Sequence, residues 1–162
     1  MKITVTIMML ALAALAFAGE EQDRKSVDEI PWFDLESCSI CKHLASEEGL
    51  MEHLHWEYFK TSMGMMSVTV VDEGYETKFK NAQANMKKAG ERMKSNEEMP
   101  LCGMCRSYDQ LLRTGKVEWE SWETPAGHIM LMTSTDPEVT EMIHEHAQKT
   151  IEEYAKMAKQ LE

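Results

Sequence analysis

The longest regular pattern in the chain is an apolar stripe at helical spacing. Tyr75, Phe79, Ala82, Met86, Ala89 and Met93 recur at steps of four and three, with mostly polar residues between them. This spacing puts one apolar side chain per turn on a single face and predicts an amphipathic helix, with Asp72 available to cap it. Two runs ahead of it, His53 to Lys60 and Met65 to Val71, are rich in strand-favouring residues. Between them lies Thr61-Ser62-Met63-Gly64, a four-residue turn ending in glycine, so the two runs predict a hairpin. Further upstream, Ser37 can cap a helix that starts at Cys38, carries Cys38, Cys41, Leu44 and Ala45 on one face, and stops at Gly49.

The same order then begins again. Cys102 to Thr114 reads as a helix with Gly115 as its stop. Val117 to Glu123 and Ile129 to Thr135 read as strands around Thr124-Pro125-Ala126-Gly127. Asp136-Pro137 is an acidic cap followed by proline at the first helical position, which predicts a final helix to about Lys159.

Identities keep register with these elements. Cys38/Cys102, Cys41/Cys105, Met66/Met130, Thr69/Thr133, Asp72/Asp136 and Met93/Met157 are 64 positions apart; Trp56/Trp119, Glu57/Glu120, Thr61/Thr124 and Gly64/Gly127 are 63 apart. The pattern predicts a tandem duplication of a helix-strand-strand-helix unit. The expected fold is α+β: one four-stranded antiparallel sheet packed by helices, with pseudo-twofold symmetry. Val117 and Trp119 alternate with Glu118 and Glu120, so Trp119, like Trp56, is expected to face the core, with His55 outward at the position of Glu118.

The start of the chain has a different character. Lys2 precedes an uncharged apolar run from Ile3 to Phe17, Ala16-Phe17-Ala18 fits a small-x-small cleavage pattern, and Glu20, Glu21 and Asp23 follow. This predicts a secretory signal peptide over 1–18, since the run is shorter than the roughly 20 apolar residues of a membrane-spanning helix. Residues 19–30 are charged and aperiodic and read as a flexible lead-in; 31–162 read as a single duplicated domain, with repeats over 31–94 and 99–160. The expected location is therefore exported, periplasmic or extracellular, with no membrane segment in the mature form. A formal charge of −11 argues against nucleic acid and anionic membrane surfaces as partners and suits a metal ion.

Against that background the four cysteines acquire meaning. They occur only as Cys38-Ser39-Ile40-Cys41 and Cys102-Gly103-Met104-Cys105. Two residues between cysteines at the start of a helix let both sulfurs converge on one ion or join as a disulfide, and the helix N-terminus favours the thiolate. Four such sulfurs suit a thiophilic ion, zinc or copper. An oxidising compartment also permits two structural disulfides or a thiol–disulfide redox role. A thioredoxin arrangement does not fit, because Asp34 and Glu36 interrupt the strand that would have to precede Cys38.

His53 and His55, two apart on the first expected strand, share one face and are further candidate ligands; His43 is close in sequence. Of the 15 methionines, Met63 and Met65 near the first turn are candidate ligands, while Met66, Met86, Met93 and Met157 read as core. His146, 64 positions after Ala82, reads as a core histidine. Gly-x-Ser-x-Gly, phosphate-binding loop and His-Glu-x-x-His motifs are absent, so the chain offers no hydrolytic signature and reads as a non-enzymatic metal-binding protein.

Overall fold

The computed structural model describes residues 30–95 and 97–160. The signal peptide and nearly all of the lead-in expected from the sequence lie outside these residues. The order is α1 (Lys42–Ala45), a 3₁₀ turn (Met51–His53), β1 (Leu54–Thr61), β2 (Gly64–Val71), α2 (Glu76–Lys94), α3 (Gly103–Arg113), β3 (Glu118–Thr124), β4 (Gly127–Thr133) and α4 (Pro137–Gln160). The strands form one antiparallel sheet in the order β1-β2-β4-β3, so the two hairpins meet along β2 and β4. The α+β class and the single four-stranded sheet expected from the sequence are both present. Among the described residues no helix is long and apolar enough to cross a membrane.

Both hairpins close more tightly than their sequences suggest. Thr61 pairs with Gly64 and Thr124 with Gly127, which leaves two-residue turns at Ser62-Met63 and Pro125-Ala126. Along β2, Met65, Ser67, Thr69 and Val71 are buried and face the helices, while Met66, Val68 and Val70 face away. Met130 and Met132 of β4 face inward and pack with Met65, Leu111, Val139 and Ile143 under α4. Met66 and Met130 therefore lie on opposite faces, as do Thr69 and Thr133. Within the hairpins the spacing that preserves side-chain direction is 63, and the step to 64 falls after β4.

A second cluster packs Leu50, Leu54, Val71, Phe79 and Ala82 beneath α2. Burial of each such aliphatic or aromatic side chain contributes about 1.5–3 kcal/mol, which is what turns the stripe on α2 into a stable helix. Its cap differs from expectation. Asp72 makes no side-chain bond to the helix start, because His53 and His55 engage both of its carboxylate oxygens. Asp136 does cap α4: its Oδ1 accepts from the Glu138 and Val139 N–H groups at 2.9 and 3.3 Å.

Trp119 departs from its expected place in the core. It is 43 % exposed, and its ring makes a T-shaped contact with Tyr108 at 5.1 Å between ring centroids. The cause is architectural. β3 is an edge strand, and α4 packs chiefly over β1, β2 and β4.

Candidate metal centre

The first Cys-x-x-Cys does not open a regular helix as its sequence suggests. Residues 35–41 run through tight turns, and α1 spans only Lys42–Ala45. Asp34 Oδ1 accepts from the N–H groups of Glu36 and Ser37, and the Cys38 carbonyl accepts from Lys42 N–H at 3.1 Å. The competing influence is tertiary. Ser39 N–H donates to the Pro100 carbonyl at 2.9 Å, tying the first motif to the lead-in of the second.

The second motif behaves as expected: Cys102 is the N-cap of α3 and Cys105 lies in its first turn. The first N–H groups of a helix have no partner within it and need one from elsewhere. Here Gly103 N–H donates to the Pro31 carbonyl at 2.9 Å and Met104 N–H to the Trp32 carbonyl at 3.0 Å. The segment ahead of the first motif thus caps the helix that carries the second. Trp32 is fixed in turn by α4, its Nε1–H donating to Thr150 Oγ1 at 3.3 Å and its ring lying 5.6 Å from that of His146.

This cross-bonding brings the four sulfurs together. Cys38, Cys41, Cys102 and Cys105 are all buried, none more than 5 % exposed, among Leu35, Ile40, Leu101 and Met104. One ligand atom from each lies within 4.8 Å of all the others. Cys41 Sγ is 3.6 Å from Cys102 Sγ and 3.4 Å from Cys105 Sγ. A tetrahedral ion with metal–sulfur bonds of about 2.3 Å requires sulfurs about 3.8 Å apart, so the set fits four-coordination with small adjustments. A disulfide requires about 2.05 Å. All four thiols are free, and the two internal disulfides considered from the sequence are not formed.

Electrostatics point the same way. Four thiols this close cannot all ionise without a cation among them. Sharing of S–H protons divides them: bonds from Cys102 and Cys105 hold Cys38 well below the ordinary thiol range, while Cys102, bonded chiefly by Cys105, is drawn down to about 7. Cys41 and Cys105 are pushed up, each chiefly by its bond to Cys102. A central cation, held by Cys38, Cys41, Cys102 and Cys105, would take over the role of those protons. The Cys41 N–H, 3.5 Å from Cys38 Sγ, and the N-terminal end of α3 supply further positive partial charge.

His53 and His55 do not join the sulfurs. Asp72 holds them at 2.9 and 3.1 Å, and His53 stacks on Tyr75 with ring centroids 3.8 Å apart. His53 ends the 3₁₀ turn and does not lie on the strand. Met65 is fully buried in the core beside Met132, and Met63 is exposed at the hairpin turn. His146 is a core residue as expected, with Nδ1 3.0 Å from Ser107 Oγ.

Gly103 has a role that the sequence did not signal. A Cβ at this position would sit 3.0 Å from Trp32 Cε3 and 3.2 Å from Trp32 Cα. Gly103→Val is expected to cost about 1–3 kcal/mol through overpacking and to speed removal of bound ion by a chelator. Unchanged chelation kinetics would show that the Trp32 contact does not support the centre.

The fold and the site together define an α+β protein with a buried four-cysteine cluster that could bind a metal. Compared with known proteins, the chain matches no family model, no curated protein and no solved structure.

Proposed function

We propose that this is an exported, non-enzymatic protein that holds one thiophilic ion, zinc or copper, between its two Cys-x-x-Cys motifs. The observation that carries the reading is the convergence of all four sulfurs within 4.8 Å in a buried site. Four thiolates complete a tetrahedral shell and leave no position for a substrate, which favours holding an ion over catalysis with it. Burial disfavours thiol–disulfide exchange, since an attacking sulfur needs access. The role is storage, sensing or delivery. The export reading rests on the charged start, apolar run and cleavage pattern of residues 1–18.

Duplication belongs to the same proposal. The β2–β4 ladder is centred on Ser67 paired with Met130, and these are 63 positions apart. Gly64 and Gly127, also 63 apart, fill matching places: a Cβ on either would lie 2.0 Å from a carbonyl of the neighbouring strand, that of Met132 or of Thr69. The joining of two hairpins around such a centre supports one ancestral unit copied once, with the ion between the copies.

Native mass spectrometry of the full chain provides the test. One ion per chain is expected, with all four cysteines resisting alkylation until a chelator is added. Two disulfides and no ion would overturn the reading.

A further inference from the structure

A cavity of about 150 Å³ opens beside the cysteine cluster, between the inner face of β1 and the helices. Cys41 forms part of its wall. So do four methionines from four different elements: Met51 from the 3₁₀ turn, Met86 from α2, Met104 from α3 and Met157 from α4. Met104 stands between Cys102 and Cys105 and also packs against the cluster, so cavity and cluster share a wall. Each of these methionines is half-buried, between solvent and core. Among the described residues, the lining includes no lysine, arginine, aspartate, glutamate or histidine.

Thioethers are neutral, soft donors that suit Cu(I) and contribute little to binding Zn²⁺. The cost of moving an ion out of water rises steeply with its charge, and no carboxylate or imidazole here offsets that cost for a divalent ion. A monovalent soft ion passed between thioethers has the smallest cost to meet.

We propose that this cavity is the route by which a monovalent soft ion, Cu(I), reaches the cluster, held first by the Met51, Met86, Met104 and Met157 thioethers and then transferred to Cys41. The proposal rests on the four-cysteine reading above and narrows its ion. Transfer is a ligand exchange without redox change. Copper–thioether bonds break, copper–thiolate bonds form, and the proton displaced from Cys41 passes to solvent.

The test uses the full chain labelled with ¹³C at the methionine methyls and titrated with Ag(I), an air-stable ion of the same class. The methyls of Met51, Met86, Met104 and Met157 are expected to shift at sub-stoichiometric silver, while those of buried Met65 and Met132 stay in place. In parallel, the variant with Met51, Met86 and Met157 replaced by leucine should take Cu(I) from a chromophoric chelator at least tenfold more slowly, with Zn(II) affinity changed less than twofold. Silent cavity methyls during filling of the cluster, or unchanged Cu(I) uptake in the variant, would sink the proposal. If the threefold variant does not fold, Met86→Leu with the wild-type spectra decides it by the same criteria. Failure of the cluster itself looks different: neither Zn(II) nor Cu(I) would then be retained by the wild type.

Discussion

Replacing Cys102 and Cys105 together by serine is expected to remove all of the bound metal and to destabilise the whole domain. The sulfurs of both motifs lie within 4.8 Å of one another, so neither pair forms a site of its own. An ion that binds only the folded state stabilises it by about 4 kcal/mol when its free concentration is roughly 1,000 times Kd. The variant should lose that amount, and chelation of the wild type should produce the same fall. Metal per chain and urea midpoints check both. Retention of half the metal would mean two independent sites and would refute sharing. The loss should also follow acidity, because binding requires thiolates and displaces protons; occupancy falls as pH drops.

Acid should destabilise the fold by a second path, through His146. Burial alone lowers its pKa to about 4 from an ordinary 6.5. The folded protein therefore keeps this imidazole neutral over a range in which the unfolded chain takes up a proton. The stabilisation is fully present above pH 6.5 and is lost progressively as pH falls toward 4. That gap corresponds to about 3 kcal/mol. His146→Gln, which keeps a polar amide facing Ser107 but cannot titrate, should flatten the dependence of the urea midpoint between pH 4 and 6.5 when both proteins are compared at saturating metal. Equal slopes would show that His146 is not the titrating group. Since His146 lies against Trp32, and the Trp32 carbonyl caps α3, metal retention should weaken in the same window.

Local patterns in the sequence carried much of this architecture. The stripe on α2, the Asp136-Pro137 start of α4 and both hairpins follow from periodicity and turn chemistry, which act over a few residues. The four cysteines stand out in the same local way, but so do His53 and His55, which Asp72 holds instead. What local patterns could not convey was the meeting of the cysteines. Cys41 and Cys102 are 61 positions apart, and backbone bonds from Ser39 to Pro100 and from Gly103 and Met104 to Pro31 and Trp32 decide their approach. The short α1 has the same origin, as tertiary bonds override a helix that Cys38 to Ala45 would otherwise favour. Alternation assigned Trp119 a face correctly but said nothing of its place on an edge strand. Methionine was the least legible: Met65 and Met86 are equally apolar in sequence, yet one fills the core and the other lines a cavity.

Under the proposed function, the position of the cluster in the chain would also tie the lifetime of the protein to its ion. The sulfurs join residues on either side of the first hairpin and α2, so loss of a bound ion would remove one tie across that span and leave the β2–β4 ladder as the other. Each tenfold fall in free ion lowers the stability of the folded state by about 1.4 kcal/mol once the site is well populated. In a compartment where unfolded chains are degraded, starvation for the ion becomes a shortened lifetime, and the amount of intact protein becomes a record of supply.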